Sequence, residues 1–371
     1  MHGNVERLPV TQKKVAVLLN GNARAVTEQL RRELEQFVPP EDLFFSRSFE
    51  DARSIARTVL DRGYGTVLTG GGDGTFVGYV NCIYDEVARG QPHLFVRASG
   101  GSAAPLAASH SFQLPRFGVL RLGTGNALAE FAGASGRRLG VVEDILRTRS
   151  GEVSRARSLH LLHSEGKRAP FAGLGLDAAI LNVFVQVKKG VVGNGKAGYF
   201  WAVATRTIPA VLSERTVPMV EVVNTGSPAQ QLDWTGKPVG REIRRGDVIY
   251  RGPCRIAAAG TVPCYGFGFR IFPFALRAPG QFQLRLSSMS LPQMLSQAPR
   301  IWRGITPRKG VADFLCDSVH VKFDREMPFQ IGGDAEGYRR ELELEMCDQP
   351  LELLDFNCGP LLQGRRPFAS A

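Results

Sequence analysis

The sequence predicts an α/β domain followed by an all-β domain, and three observations carry that prediction. The chain of 371 residues exceeds an ordinary single core of about 150 residues, and its 43% hydrophobic content is enough to fill two. Near Ser150 the spacing of apolar residues changes from helical to alternating. Before that point, a buried-looking strand runs straight into a glycine-rich turn and then a helix, the place where α/β sheets bind phosphate.

Residues 1–12 read as a disordered lead-in. Residues 15–19 form an apolar strand that breaks at Asn20-Gly21-Asn22-Ala23-Arg24, and Val26, Leu30, Leu34 and Phe37 then repeat at helical spacing. A first strand ending in such a turn before a helix has the geometry of a nucleotide loop. Residues 43–45 give a second strand that ends at Ser46. Ser48 and Asp51 then open a helix through Leu60 in the manner of a capping box.

The next strand, residues 66–69, delivers Gly70-Gly71-Gly72-Asp73-Gly74-Thr75, and Val77, Val80, Ile83, Tyr84 and Val87 continue as a helix. Glycines let backbone N–H groups approach a polyphosphate with no Cβ in the way, and the helix start adds partial positive charge. Asp73 would repel phosphate, so it works through a bound cation or holds the turn. Residues 97–113 are rich in Ser, Ala and Gly and read as a surface loop, either a lid or a tolerated insertion. A fourth strand, 117–122, brings Gly123-Thr124-Gly125-Asn126 to a second turn, with a helix at 127–131 behind it. Two glycine turns on neighbouring strand ends define one cleft.

After Ser150, residues 217–223, 282–286, 319–323 and 341–346 alternate apolar with polar or charged side chains. Such patterns are half-exposed antiparallel strands, and several between Gly/Pro turns suggest a β-sandwich. Helical pieces at 177–188 and 197–212 interrupt them. The predicted boundaries are 13–150, 151–347 and a carboxyl-terminal segment 348–371, in which residues 351–356 pack back on the first domain and 359–371 fray.

The formal charge of +11 implies attraction to polyanions such as ATP or an acidic membrane surface, or else charge spread over a solvated face. No RNA-binding signature or zinc-finger spacing accompanies it, which argues against nucleic acid. Six cysteines lack C-x-x-C spacing and no signal peptide is evident, so a cytoplasmic location is expected. The most apolar run, 199–212, is broken by Arg206 and Pro209 and is too short to cross a bilayer. His160 and His163 read as ordinary surface and core histidines.

Four motifs then occur in order. Gly71-Gly72-Asp73-Gly74-Thr75 resembles the GGDGT signature of diacylglycerol, sphingosine, ceramide and bacterial lipid kinases, shared more distantly with NAD kinases and phosphofructokinases. Gly123-Thr124-Gly125-Asn126 resembles the lipid-kinase GTGN segment. Gly173-Leu174-Gly175-Leu176-Asp177-Ala178 resembles its G-x-G-x-D-A, and Asp334-Ala335-Glu336 its late D-G-E. The chain departs from the family at the first loop, which keeps Asn20 but lacks the usual proline, and at Ala335, which replaces a glycine. It also lacks an acid at Pro279-Gly280, where some bacterial relatives hold a structural metal.

The resemblance implies a Rossmann-like α/β domain of the NAD kinase and diacylglycerol kinase type, a carboxyl-terminal β-sandwich domain, and a cleft between them. It implies an ATP-dependent lipid kinase acting on a diacylglycerol, sphingoid base or ceramide, with ATP and Mg²⁺ as cofactors. The expected nucleotide contacts are Asn20, Ser46, Gly70, Gly71, Gly72, Asp73, Gly74, Thr75, Thr124, Gly125 and Asn126. Ser46 could equally be a strand-end turn residue. Asp73 is the expected metal-side acid. Glu336 ranks first as the base with Asp334 as its partner or a metal ligand, the reverse order staying open. Asp177 is a substrate-side candidate or simply a helix cap. The expected lipid brings contact with an anionic membrane, through Lys188, Lys189 and Lys196 near Tyr199 and Trp201, and a homodimer is left open. A kinase of a soluble acceptor such as NAD and a non-catalytic nucleotide- or lipid-binding protein are the alternatives.

Overall fold

The computed structural model describes residues 14–90, 114–123, 125–176, 178, 216–265 and 268–357. Thr124, Asp177, residues 97–113 and, Ala178 apart, the predicted helices at 177–188 and 197–212, with Lys188, Lys189, Lys196, Tyr199 and Trp201, lie outside the described residues. The chain divides into two compact units. The first comprises Met1–Gly123, Ala132–Arg157 and Leu351–Ala371, and the second Thr124–Phe131 and Ser158–Pro350.

The first unit is α/β, as the sequence predicts. Strands β1 (Val15–Asn20), β2 (Leu43–Ser46), β3 (Thr66–Gly71) and β4 (Arg116–Arg121) join β5 (Ala156–Leu159) and β18 (Leu351–Leu354) in the order β2-β1-β3-β4-β18-β5. The pairs β1–β2, β1–β3, β3–β4 and β4–β18 are parallel. β3 is buried along its whole length, so its continuous apolar run marks a strand covered on both faces. Helices α1 (Glu28–Leu34), α2 (Phe49–Asp61), α3 (Asp73–Gly90) and α5 (Arg138–Arg149) lie in this unit. α2 starts at the capping box of Ser48 and Asp51. α1 is shorter than the apolar spacing suggests: the Thr27 hydroxyl accepts from Leu30 N at 3.1 Å and starts the helix beyond Val26, and Phe37 is left exposed past its end.

Among the described residues the second unit is all-β apart from α4 (Ala127–Phe131), α6 (Leu291–Trp302) and helical backbone at Leu176 and Ala178. Its strands are β6 (Leu162–Ser164), β7 (Lys167–Ala169), β8 (Phe171–Gly175), β9 (Met219–Asn224), β10 (Ala229–Leu232), β11 (Pro238–Ile243), β12 (Val248–Pro253), β13 (Ile256–Gly260), β14 (Phe282–Ser287), β15 (Val311–Cys316), β16 (Ser318–Ile331) and β17 (Asp334–Met346). They hydrogen-bond in the order β11-β10-β15-β14-β13-β8-β16-β17-β6-β7, with β9 pairing to β12 and β16. β16 serves two neighbours: Val319 to Phe323 pair with β9, Phe329 to Ile331 with β8, and its register with β17 shifts in between.

β14 corrects one expectation. Its alternation of Phe282, Leu284 and Leu286 with Gln283 and Arg285 reads as half-exposed, yet all six residues are buried. Arg285 makes two bonds to Asp313, both 2.8 Å, and one to Thr306 at 2.9 Å. Gln283 donates to Asp313 at 2.7 Å and accepts from Phe274 N at 2.7 Å. Burying a guanidinium is tolerable only with its charge paired and its donors used, and Asp313 on the next strand supplies that.

Candidate functional site

The first group of expected site residues sits at the carboxyl ends of β1, β2, β3 and β4. Register places them side by side, with Asn20 opposite Ser46, Leu19 opposite Gly70, and Gly71 opposite Arg121. Parallel strands end on one edge, so their loops gather where ligands bind in such sheets.

α3 follows directly on Gly72, whose carbonyl accepts from Thr75 N at 3.0 Å and Phe76 N at 3.3 Å. Asp73 is therefore in the first turn of an 18-residue helix, and it is buried. A carboxylate is favoured there by the helix dipole, and so is any other anion. The Asn20 side chain spans the gap to that turn, its Nδ2 donating to Thr75 Oγ1 at 3.0 Å and its Oδ1 accepting from Asn22 N at 2.9 Å. Asn22 Nδ2 donates to Arg47 O at 2.8 Å, and Gly21 N to Ser46 O at 2.8 Å. These bonds fasten the first loop to both neighbouring strand ends without the proline that relatives carry. Ser46 itself is buried. Just beyond it, Asp51 accepts from Arg47 N and Ser48 N at 2.8 and 3.0 Å. Those backbone donors hold its carboxyl below the ordinary range.

The second glycine turn meets the first. A Cβ built on Gly123 would stand 2.1 Å from Gly72 Cα and 2.4 Å from Gly72 N, and one on Gly71 would stand 2.2 Å from Thr75 Oγ1. The backbones thus approach as closely as glycine permits. Gly125 and Asn126 are half-buried, and the Asn126 carbonyl accepts from Glu130 N at 2.9 Å, so Asn126 precedes α4 directly. These two residues group with the second unit, whereas Gly123 groups with the first.

The paired acids form a separate cluster in the second unit. Gly332 and Gly333 make the two-residue link between β16 and β17, with φ of 61° and 89°, the left-handed backbone such a hairpin requires. Ile331 pairs with Asp334 and Gln330 with Ala335. Asp334 and Glu336 therefore leave the same side of β17, next to the turn of the hairpin. Asp334 is exposed at the residue level, yet desolvation by the protein around its carboxyl, and then the Glu336 charge, push that carboxyl above the ordinary range, with Lys167 pulling the other way. Lys167 Nζ lies 2.5 Å from Glu336 Oε1.

Sequence reasoning missed Lys167 and Gln330. Lys167 stands on β7, 169 positions before Glu336, and no motif marks it. Gln330 is fully buried and its Oε1 accepts from Gly333 N at 3.2 Å, bracing the turn, while its Nε2 has no hydrogen-bond partner among the described residues. His163 pairs with Glu345 at 3.0 Å. The structure thus gathers Asn20, Ser46 and residues 70–75 in one unit, and Asp334, Glu336 and Lys167 in the other.

Residues 14–157 match the family model of the diacylglycerol kinase catalytic domain. No curated protein matches the chain. Among solved structures it is similar to a diacylglycerol kinase from Bacillus anthracis str. Sterne, with 12% identity and a TM-score of 0.55, covering 94% of this chain and 98% of that one. Another chain from that organism, assigned to the same kinase class, gives 12% identity and a TM-score of 0.59, covering 95% and 98%. A further one gives 14% and 0.57, covering 93% and 98%. Identities this low establish the fold alone. The amino-terminal match agrees with the resemblance that the motifs carry.

Proposed function

We propose that this chain, whose residues 14–157 carry a diacylglycerol kinase catalytic domain, is an ATP-dependent lipid kinase that transfers the γ-phosphoryl group to a lipid hydroxyl of the diacylglycerol, sphingoid-base or ceramide type. The observation that carries the reading is the match itself, which includes the glycine turn from β3 into the start of α3, a place that favours an anion. In this reading Asn20, Ser46, Gly70, Gly71, Gly72, Gly74, Thr75, Thr124, Gly125 and Asn126 serve the nucleotide. Asp177 stays a substrate-side candidate.

Phosphoryl transfer needs charge neutralisation, alignment of the acceptor and removal of its proton. Mg²⁺ suits the donor set, because it is held by one or two carboxylates with phosphate and water rather than by an all-protein cage. Asp73 is the acid that would hold it, and no cluster of three His, Cys, Asp or Glu side chains competes among the described residues. Bound there, the ion would neutralise the phosphate oxygens.

For the base we assign Asp334, reversing the order in which the sequence ranks the two acids. Two observations support the reversal. Lys167 holds Glu336 as an ion pair, which suits an anchored carboxylate. Asp334, accessible at the hairpin turn, has its proton affinity raised by desolvation of its carboxyl and by the Glu336 charge, which suits a group that accepts a proton. A lipid acceptor brings the protein to an anionic membrane surface from the water side, and no described helix is long and apolar enough to cross a bilayer.

Labelled ATP with Mg²⁺ and, in turn, diacylglycerol, ceramide, a sphingoid base and NAD tests the proposal. Label is expected in one of the lipids and not in NAD. Label in NAD alone favours the soluble-acceptor kinase, and ATP binding with turnover of none favours the non-catalytic protein.

A further inference from the structure

The acidic and basic residues of the second unit are distributed very unevenly. Residues 248–312 contain nine Arg or Lys and no Asp or Glu, so this stretch holds most of the chain's +11 charge. One of the nine, Arg285, is buried against Asp313. Arg300, Arg303, Arg308 and Lys309 are all exposed and cluster in and just after α6.

α6 is amphipathic. Leu291, Met294, Leu295, Ala298, Ile301 and Trp302 recur at the three- and four-residue spacing of one helix face, and Arg300 falls about half a turn from Leu291. A surface helix of a water-soluble unit normally spends such a face on its own core. Here only Leu291 is buried. Leu295, Trp302 and Ile305 keep 53%, 40% and 42% of their surface. Nor is the stripe loose, since the Trp302 ring packs on Phe269 at 4.6 Å and Ser290 with Gln293 caps the helix start. Beside it, the Arg308 guanidinium stacks over Trp234 at 4.3 Å, and Trp234 is 47% exposed.

We infer that α6 and the segment following it, through Lys309, form a docking surface for an anionic lipid bilayer. Leu295, Trp302 and Ile305 would enter the headgroup boundary, and Arg300, Arg303, Arg308 and Lys309 would pair with lipid phosphates. Charge complementarity selects this occupant. A helix with Trp and Leu on one side and Arg300 on the other, followed at once by Arg303, Arg308 and Lys309 in a stretch with no carboxylate, has the composition of an interfacial helix. Long arginine stems let Arg300, on the side of the helix away from the stripe, and Arg303, at its carboxyl end, reach headgroups while their apolar portions stay on the protein. A nucleic-acid site would need the cations but not the apolar stripe. The inference names the membrane-facing element of the proposed lipid kinase, yet the docking itself requires no turnover.

Full-length protein is sedimented with sucrose-loaded vesicles of phosphatidylcholine, with and without phosphatidylglycerol. Wild type is expected to partition preferentially to the anionic vesicles. Leu295→Ser with Trp302→Ser, and separately Arg300→Gln with Arg303→Gln, should each lower that partition about tenfold. Unchanged melting temperatures confirm that the variants are folded, and the milder single changes Leu295→Ser and Arg303→Gln replace any pair that is not. With lipid acceptor dispersed in detergent the variants should turn over as wild type does, and only the vesicle-borne acceptor should be lost. Wild-type binding to neither vesicle, variants that bind as wild type, or loss confined to the arginine pair would each overturn the surface. So would a wild-type dimer that the apolar pair dissolves, because the stripe would then be an interface between copies. A protein that docks through α6 but phosphorylates no lipid leaves this inference standing and removes the proposed acceptor alone.

Discussion

The two turns that carry the candidate chemistry use glycine for opposite reasons. At the β3–α3 turn space is the constraint, since a Cβ on Gly123 would enter the Gly72 backbone at 2.1 Å. At the β16–β17 turn space is free, with nothing within 4 Å of a Cβ on Gly333, but the backbone is left-handed at 89°. The first turn is a packed cradle whose shape depends on missing side chains. The second is an open hairpin tip after which two carboxylates leave one side of β17. A glycine run in a sequence therefore reports either close approach or backbone hand, and the neighbours decide which.

The largest expected effect breaks the first turn. Gly123→Ala should cost about 3 kcal/mol in urea unfolding, because backbone rather than a flexible side chain must move, and it should abolish ATP binding in calorimetry. A variant within about 1 kcal/mol of wild type would show that the close approach is not required.

Next comes the chemistry at the second turn. Asp334→Asn should lower kcat about a hundredfold with the Michaelis constant for ATP unchanged, since the cradle is not touched. A smaller loss than that of Glu336→Gln would restore the original ranking of the two acids.

The pH profile sharpens the same assignment. Asp334 must be ionised to accept a proton, and its raised affinity puts the acid limb of kcat above the ordinary aspartate value. Lys167→Met removes the charge that opposes the rise, so the limb should move to higher pH. Glu336→Gln removes a charge that causes it, so the limb should move lower. Stability carries the opposite sign to the usual paired aspartate: a carboxyl with raised native affinity favours folding at low pH, and that contribution fades as pH climbs from 3.8 through the raised value. Asp334→Asn should therefore not weaken the fold at neutral pH, which thermal melts across pH will check.

The smallest effect is at the open tip. Gly333→Ala meets no neighbour and should cost only about 1 kcal/mol of backbone strain, a third of the Gly123 effect. Equal costs at both positions would erase the distinction between the turns.

Much of the first unit was legible because its signals are local. The run 66–69 into Gly70, the spacing of Val77, Val80 and Ile83, and the Ser48–Asp51 box each fix a strand, a helix or a cap within a few residues, and β3, α3 and α2 lie where they indicate. Alternation likewise located β14, but it could not say that the polar side of β14 is buried. That depends on Asp313 arriving on β15 to meet Arg285, a partner 28 positions away. Lys167 is the same case at greater range, since antiparallel pairing brings β7 and β17 to one sheet and no pattern within either strand records it.

The order of the motifs, the glycines and the acids was fixed by the chain's local chemistry: which residues turn, which alternate, which carry charge. Tertiary structure alone decided which charges meet and which apolar faces stay open. Arg285 is neutralised inside a sheet while Arg300 and Arg303 face solvent beside an uncovered stripe, although all three are arginines in the same acid-free stretch. The physical reason is that desolvation and pairing depend on distance through space, and a sequence specifies distance only along the backbone.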